Sequence, residues 1–279
     1  MTIHVLMPVH NRVSCTESML ECLRTQIVDE PLSIVVIDDG STDETADFLC
    51  AQNDIAVLKG DGSLWWGGAV DLALRTVIEF AKRDDWVLFV NNDTKIDSGF
   101  VQTLLDAALT YAPAAIGSVV LDVDPPHRTL SIGPVIKPWR LKVSDLLEER
   151  YYESNQEIFA VDALSGRGVL YPISVLESVG GLRPWLLPHY LADYELALRV
   201  KHAGYKLLVS NKAIVFSANE FGNSYKANSL WEHFFSVRSP SFLPALVGFW
   251  WSASTPLQRL TFLLRVILKK MVFILRSKK

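Results

Sequence analysis

Three short polar runs carry the oxygen and nitrogen donors from which a site could be built: Pro8-Val9-His10-Asn11-Arg12, Asp38-Asp39-Gly40-Ser41 and Asn91-Asn92-Asp93. Asp93 offers a hard carboxylate and the two preceding Asn residues offer carbonyl oxygens, a set suited to Mg²⁺ or Mn²⁺ carrying a diphosphate. Asp39 can accept hydrogen bonds from a base or ribose, and Gly40 permits close approach of backbone to a ligand. Asp and Ser at such places also cap helices and turns, which accounts for Ser41 to Asp43 without accounting for both acids of the pair. Gly60-Asp61-Gly62-Ser63-Leu64-Trp65-Trp66-Gly67-Gly68 adds backbone amides and two large aromatic surfaces, with Asp61 and Gly68 as the residues expected to meet a nucleotide or sugar. Core packing is the competing fate of the two Trp.

Each polar run ends an apolar one. Ile3 to Pro8, Ser33 to Ile37, Ile55 to Lys59 and Trp86 to Val90 read as buried strands, and helices are expected from Ser14 to about Gln26, up to Cys50, and from Gly68 to Lys82. This alternation over about 110 residues predicts βαβ units and a mostly parallel, doubly wound α/β sheet. Ligands bind such sheets at the carboxyl ends of the strands, which gathers Pro8, His10, Arg12, Asp38, Asp39, Asn91, Asn92 and Asp93 at one edge as candidate ligand-binding residues. Neither a Gly-x-Gly-x-x-Gly nor a Gly-Lys-Ser/Thr loop follows the first strand, which removes the main support for dinucleotide or ATP binding.

Farther on, strands are expected at Ala115–Leu121, Thr129–Ile136 and Phe159–Asp162, with a charged connection from Pro138 to Gln156. A helix from Leu191 to Ala203 and two closing strands, Lys206–Ser210 and Ala213–Phe216, complete the pattern. The 279 residues are 49% hydrophobic and 21% charged, a globular composition, and the net charge of −4 argues against nucleic acid as a partner. Cys15, Cys22 and Cys50 have neither zinc-ligand nor disulfide spacing. With no secretory signal at the start, a cytoplasmic protein is expected.

The runs Met7 to Arg12, Ile37 to Asp43 and Asn91 to Asp93 resemble in order and spacing the motifs of family 2 glycosyltransferases with a GT-A fold, and the resemblance extends through Gly67-Gly68-Ala69, Ser165-Gly166-Arg167-Gly168 and Asp193-Tyr194-Glu195. The wording is closest to the bacterial branch that includes rhamnosyltransferases. The resemblance covers about residues 1 to 220. It implies inverting transfer of a sugar from a UDP- or dTDP-sugar to an acceptor, expected to be a lipid-linked glycan of bacterial surface polysaccharide synthesis. It makes Asp39 a base-contacting acid, Asp93 the metal ligand, and Asp193 the catalytic general base at the start of its helix. Two departures stand out: Asn91 replaces the first acid of the Asp-x-Asp motif, and Ala192 replaces the Glu of the usual Glu-Asp pair. Arg167, His189 and Glu195 are candidates for contacting acceptor or phosphate. The departures leave room for a catalytically silent sugar-nucleotide-binding or scaffold protein. A nucleotidyltransferase is disfavoured because Pro8 to Arg12 lacks the Gly-rich basic loop.

The chain divides in this reading into a catalytic domain, 1–230, and a C-terminal helical tail, 231–279. A helix from Leu257 to Arg276 gathers Gln258, Arg265, Lys269 and Arg276 on one stripe of an otherwise apolar surface. Seven basic and no acidic residues fall between Arg259 and Lys279. This predicts peripheral attachment to an anionic membrane through 241–279, on the inner face. The alternative is a helix docked on the catalytic domain or on a second subunit of an oligomer.

Overall fold

The computed structural model describes residues 1–149, 155–218, 225–262 and 264–269. The first four strands fall where the apolar runs placed them: β1 (Ile3–Val9), β2 (Leu32–Asp38), β3 (Ala56–Lys59) and β4 (Trp86–Phe89). Between them lie α1 (Val13–Arg24), α2 (Thr45–Cys50) and α3 (Trp65–Ile78). β3, β2, β1 and β4 run parallel in that spatial order, with Ile3 paired to both Leu32 and Trp86. Because successive strand side chains point to opposite faces, Leu6, Val35, Val87 and Phe89 enter one core with α3, whereas Val5, Met7, Val36 and Leu88 enter a second with α1.

The second half departs from a mostly parallel sheet. After β5 (Thr94–Ile96), α4 (Phe100–Thr110) and β6 (Ala114–Asp122), the chain leaves through β7 (Thr129–Ser131) and a separate hairpin of β8 (Pro134–Lys137) and β9 (Lys142–Asp145). The hairpin occupies part of the segment expected to be only a charged connection; residues 150–154 of that segment lie outside the described residues. β10 (Ile158–Ala160) and β11 (Val169–Pro172) follow, and β11 inserts between β4 and β6 antiparallel to both, making the ten-stranded sheet mixed. The reversal has a functional effect. Val169, the first residue of β11, pairs with Phe89 at the end of β4, so Ser165-Gly166-Arg167-Gly168 reaches the same edge as the loops after β1, β2 and β4.

α5 (Ile173–Val179) and α6 (Ala192–His202) cover the first core, and the two expected closing strands are one, β12 (Lys206–Ser217), bulged between Ser210 and Ile214. The C-terminal segment packs on this body. α7 (Leu230–Phe235) leads to α8 (Leu243–Ala253) and α9 (Pro256–Leu260), with helix again at 262 and 264–269. Ala245, Phe249, Trp250 and Phe262 are buried in the first core. The expected single helix from Leu257 is thus interrupted at Thr261, and its stretch beyond residue 269 lies outside the described residues.

The described part of that helix's polar stripe is tied to the body of the protein, with Arg265 half-buried and Lys269 exposed along its stem. Gln258 is buried, Arg265 Nη1 donates to the Pro138 carbonyl at 2.7 Å, and Lys269 Nζ donates to the Leu141 carbonyl. Leu257, Leu260, Leu264, Ile267 and Leu268 face outward, each more than half exposed. No helix among the described residues is long and apolar enough to cross a membrane.

Candidate active site

The loop after β1 is tied to the loop after β2. Asn11 N donates to Ser41 Oγ and Asn11 Oδ1 accepts from Thr42 N, both at 2.7 Å, while Asn11 and Arg12 adopt left-handed backbone at φ 58° and 66°. His10 Nδ1 lies 2.7 Å from the Asp39 carbonyl, which can only accept, so Nδ1 carries the proton. Asp38 Oδ1 takes the Ser41 N–H at 2.9 Å and closes the turn.

Asp39 is buried and heavily engaged. Its Oδ1 accepts from Gly62 N at 2.9 Å and Leu64 N at 3.3 Å, and its Oδ2 accepts from Trp65 N at 2.8 Å. One carboxylate therefore holds the loop that begins α3, including Trp65 in left-handed backbone at φ 57°. Gly40 and Gly60 leave the room this needs: a Cβ at Gly60 would fall 2.5 Å from Asp39 Oδ1, and one at Gly40 2.8 Å from Gly62 N.

These loops enclose a cleft of about 670 Å³ walled by Pro8, His10, Arg12, Asp39, Asn91, Asn92 and Asp93 together with Trp65 and Trp66. Asp38, Asp61 and Gly68 are not part of the wall, Asp38 being buried in its own turn. Asp61 accepts from Ser63 N and Oγ in its own turn, and Gly68 is buried against Leu64 and Pro184. The adjacent Trp residues hold the positions expected of them. Tyr190, Tyr225 and Arg238 also line the cleft, the Arg238 guanidinium lying 5.9 Å from the Trp65 ring centroid. Sequence reading passed these three over because they come from segments without periodicity.

On the floor, Asn91 Oδ1 accepts from Trp66 Nε1 at 2.9 Å, and Asn92 Nδ2 donates to Thr16 Oγ1 at 3.0 Å. Asp93 Oδ2 lies 3.3 Å from Arg12 Nη1, an ion pair between half-exposed side chains across the cleft mouth. Among the described residues, no three His, Cys, Asp or Glu side chains converge as a metal cage. Asp93 is nevertheless accessible at the cleft, which fits an ion held by one carboxylate, a donor diphosphate and water.

A second cavity of about 350 Å³ contains Asp193 and shares Trp66, Asn91, His189 and Tyr190 with the cleft. Asp193 Oδ2 accepts from Gly166 N and Oδ1 from Tyr194 N, each at 2.9 Å. Burial raises its pKa above the ordinary carboxylate value, against the pull of those two bonds and the Arg167 charge. Arg167 lines the same cavity. His189 touches both spaces, with ring centroids 5.5 Å from Trp65 and 4.4 Å from Tyr190. Burial lowers its pKa from 6.5 to about 4, so at neutral pH it is an uncharged ring and not a cation for phosphate. Its stability contribution, present above pH 6.5, is lost as pH falls towards 4.

Glu195 lies elsewhere. It is buried between Arg199 Nη2 at 2.9 Å and Arg183 Nη1 at 3.2 Å, with Ser252 Oγ of α8 at 3.3 Å, and lines neither cavity. Its ion pair with Arg183 fastens α6 to the preceding loop, and the Ser252 hydroxyl, which donates to it, ties α6 to the C-terminal segment.

The cleft lies at the carboxyl edge of a mixed α/β sheet and adjoins the cavity that holds Asp193, and solved structures share the fold that places it there. The chain superposes on GalNAc-T7 with UDP, GalNAc and Mn²⁺ at a TM-score of 0.64 and 12% identity, covering 78% of this chain and 44% of that one. It superposes on S. aureus TarS 1-349 in complex with UDP at 0.56 and 18%, covering 78% and 60%, and these GT-A glycosyltransferases establish the likeness of fold. The family model for glycosyl transferase family 2 matches residues 4–159, and the chain belongs to that family. An N-acetylglucosaminyl-diphospho-decaprenol L-rhamnosyltransferase of Mycobacterium tuberculosis is 28% identical over 201 residues. The match covers 63% of this chain and 63% of that relative's length.

Proposed function

We propose that the protein is an inverting glycosyltransferase of bacterial surface polysaccharide synthesis, moving a sugar from a UDP- or dTDP-sugar to a saccharide on a polyprenyl diphosphate. The observation that carries this reading is the shared wall of the two spaces, which lets an acceptor beside Asp193 face a donor in the larger cleft. The relative that acts on a decaprenyl-linked sugar supports the acceptor class.

In this mechanism the walls Trp65 and Trp66 and the loops after β1 and β2 hold the nucleoside diphosphate. Asp193 takes the proton of the acceptor hydroxyl as its oxygen bonds to the anomeric carbon, while the bond from that carbon to the diphosphate breaks on the opposite face. Gly166 N–H orients Asp193, and together with the Arg167 charge it offsets part of the burial that favours the neutral carboxyl. Asp93 would hold a divalent ion, Mg²⁺ or Mn²⁺, whose contribution when bound is charge neutralisation on the leaving diphosphate. Arg12 is placed to turn from Asp93 to that diphosphate.

Work at the cytoplasmic face of the membrane completes the reading, and the outward leucines of the C-terminal segment support it. The attachment is then chiefly apolar, since Arg265 and Lys269 are engaged with backbone carbonyls.

The test is a series of UDP-, dTDP- and GDP-sugars offered to the full chain. One of the first two classes should bind and release nucleoside diphosphate slowly in water; failure of every donor to bind overturns the proposal. Excess chelator should abolish turnover, and Asp93→Ala should lower it by about 100-fold or more. Undiminished turnover in chelator removes the metal from the scheme.

A further inference from the structure

Behind the Asp193 cavity lies a third, half-open space of about 270 Å³ between the β8–β9 hairpin, α8 and the C-terminal helix. Its walls are Leu141 and Val143 of the hairpin region, Phe249 and Trp250 of α8, and Val266, with Ser241 and Lys269 as its polar members. Leu191, Pro240 and Leu246 belong both to this space and to the Asp193 cavity, so the two adjoin. The helix that closes it turns Leu264, Ile267 and Leu268 to the outside.

We infer that this apolar chamber holds the first isoprene units of the acceptor's polyprenyl chain. The inference rests on the acceptor reading of the Asp193 cavity and adds a subsite to it. Three properties favour that occupant. The chamber is walled chiefly by aliphatic and aromatic carbon, so water gains few hydrogen bonds there. Leaving it empty forfeits dispersion contacts on all its walls, whereas a branched hydrocarbon chain restores them. It also adjoins the acceptor's place: with a saccharide hydroxyl at Asp193 and the donor in the larger cleft, the rest of the acceptor can run past Leu191 and Leu246 into this space. The apolar outer face then receives the remainder of the chain in the bilayer. On this view the tail is a wall of the active site as well as an anchor.

The experiment measures binding of farnesyl diphosphate and of inorganic diphosphate to the full chain saturated with UDP, which blocks the donor's diphosphate site. UDP affinity, measured on the same samples, tests the glycosyltransferase reading by itself. Farnesyl diphosphate should bind at least about tenfold tighter than inorganic diphosphate, the gain from burying roughly two methylene-sized groups. Val143→Trp and Val266→Trp, which fill the chamber, should erase that margin and leave UDP affinity unchanged. Leu260→Glu with Leu264→Glu, on the outer face, should leave the margin intact. Equal affinity for the two probes, or a margin that survives filling and disappears with the outer-face pair, overturns the chamber. Should the Trp variants fail to fold, a benzophenone-bearing farnesyl diphosphate on the wild-type chain decides: labelling at residues 141–143, 246–250 or 266 supports the subsite, and labelling only at 257–268 outside position 266 refutes it.

Discussion

Asp193→Asn should leave UDP affinity unchanged while transfer falls by on the order of 10²- to 10⁴-fold. Asn fills the same volume, and its Oδ1 can still accept one of the two backbone N–H groups now bound at 2.9 Å, but it cannot take a proton from an attacking hydroxyl. The wild-type rate should fall on the acid side with an apparent pKa above that of an ordinary aspartate, because burial raises this one. The sign for stability is the reverse of a capping acid's. A carboxyl whose folded pKa exceeds its unfolded value favours folding when protonated and loses that contribution as pH rises through the folded pKa. Asn at 193 should therefore cost little stability at neutral pH, and thermal unfolding at pH 5 and pH 8 checks this. A variant that transfers at the wild-type rate would remove Asp193 from the chemistry. Glu195 could not replace it, being held by Arg199 and Arg183 away from both spaces.

Asp39→Ala should do damage of a different kind, with a stability loss of about 2–4 kcal/mol and nucleotide binding reduced below detection. Three backbone N–H groups lose one shared acceptor, two of them in partly buried residues, and an unsatisfied buried donor costs about 1–3 kcal/mol. Without that carboxylate the left-handed backbone at Trp65 is no longer held, and the aromatic wall of the cleft moves with it. Denaturant unfolding and UDP titration of the same sample separate the two losses. Asp39→Asn should fall between, since one oxygen remains while the new NH₂ group opposes donors. Wild-type stability in Asp39→Ala would mean that the loop after β3 is held by packing alone.

The parallel half of the sheet was open to sequence reading because Ile3–Val9, Leu32–Asp38 and Trp86–Phe89 are apolar runs that end in polar loops. The strand β11 was not, since Val-Leu-Tyr-Pro is too short a run to stand out between a Gly-rich loop and a helix, and only its pairing with β4 sets its direction. Helical period marked the Gln258, Arg265, Lys269 stripe without saying which way it faced. Backbone carbonyls at Pro138 and Leu141, far away in the chain, tie it to the body of the protein. Glu195 was foreseeable: two residues along a helix turn the side chain by about 200°, so a neighbour of Asp193 at that spacing leaves the cavity. Asp61 and Gly68 misled for the opposite reason. Polar and Gly residues suggest a ligand, but here one satisfies its own turn and the other admits close packing, and the ligand surface is left to the two indoles.

The partition between the two spaces carries a historical consequence. Trp66 donates its indole N–H to Asn91, and a Cβ at Gly166 would intrude to 2.1 Å from Trp66 Cζ2. Neither position is free to drift alone: a methyl at 166 requires a smaller ring at 66, and a smaller ring strands the Asn91 carbonyl. Lineages descending from this chain should thus hold Gly166 and Trp66 together or exchange them together, with position 91 keeping a side-chain oxygen that can accept the indole N–H for as long as the indole is present.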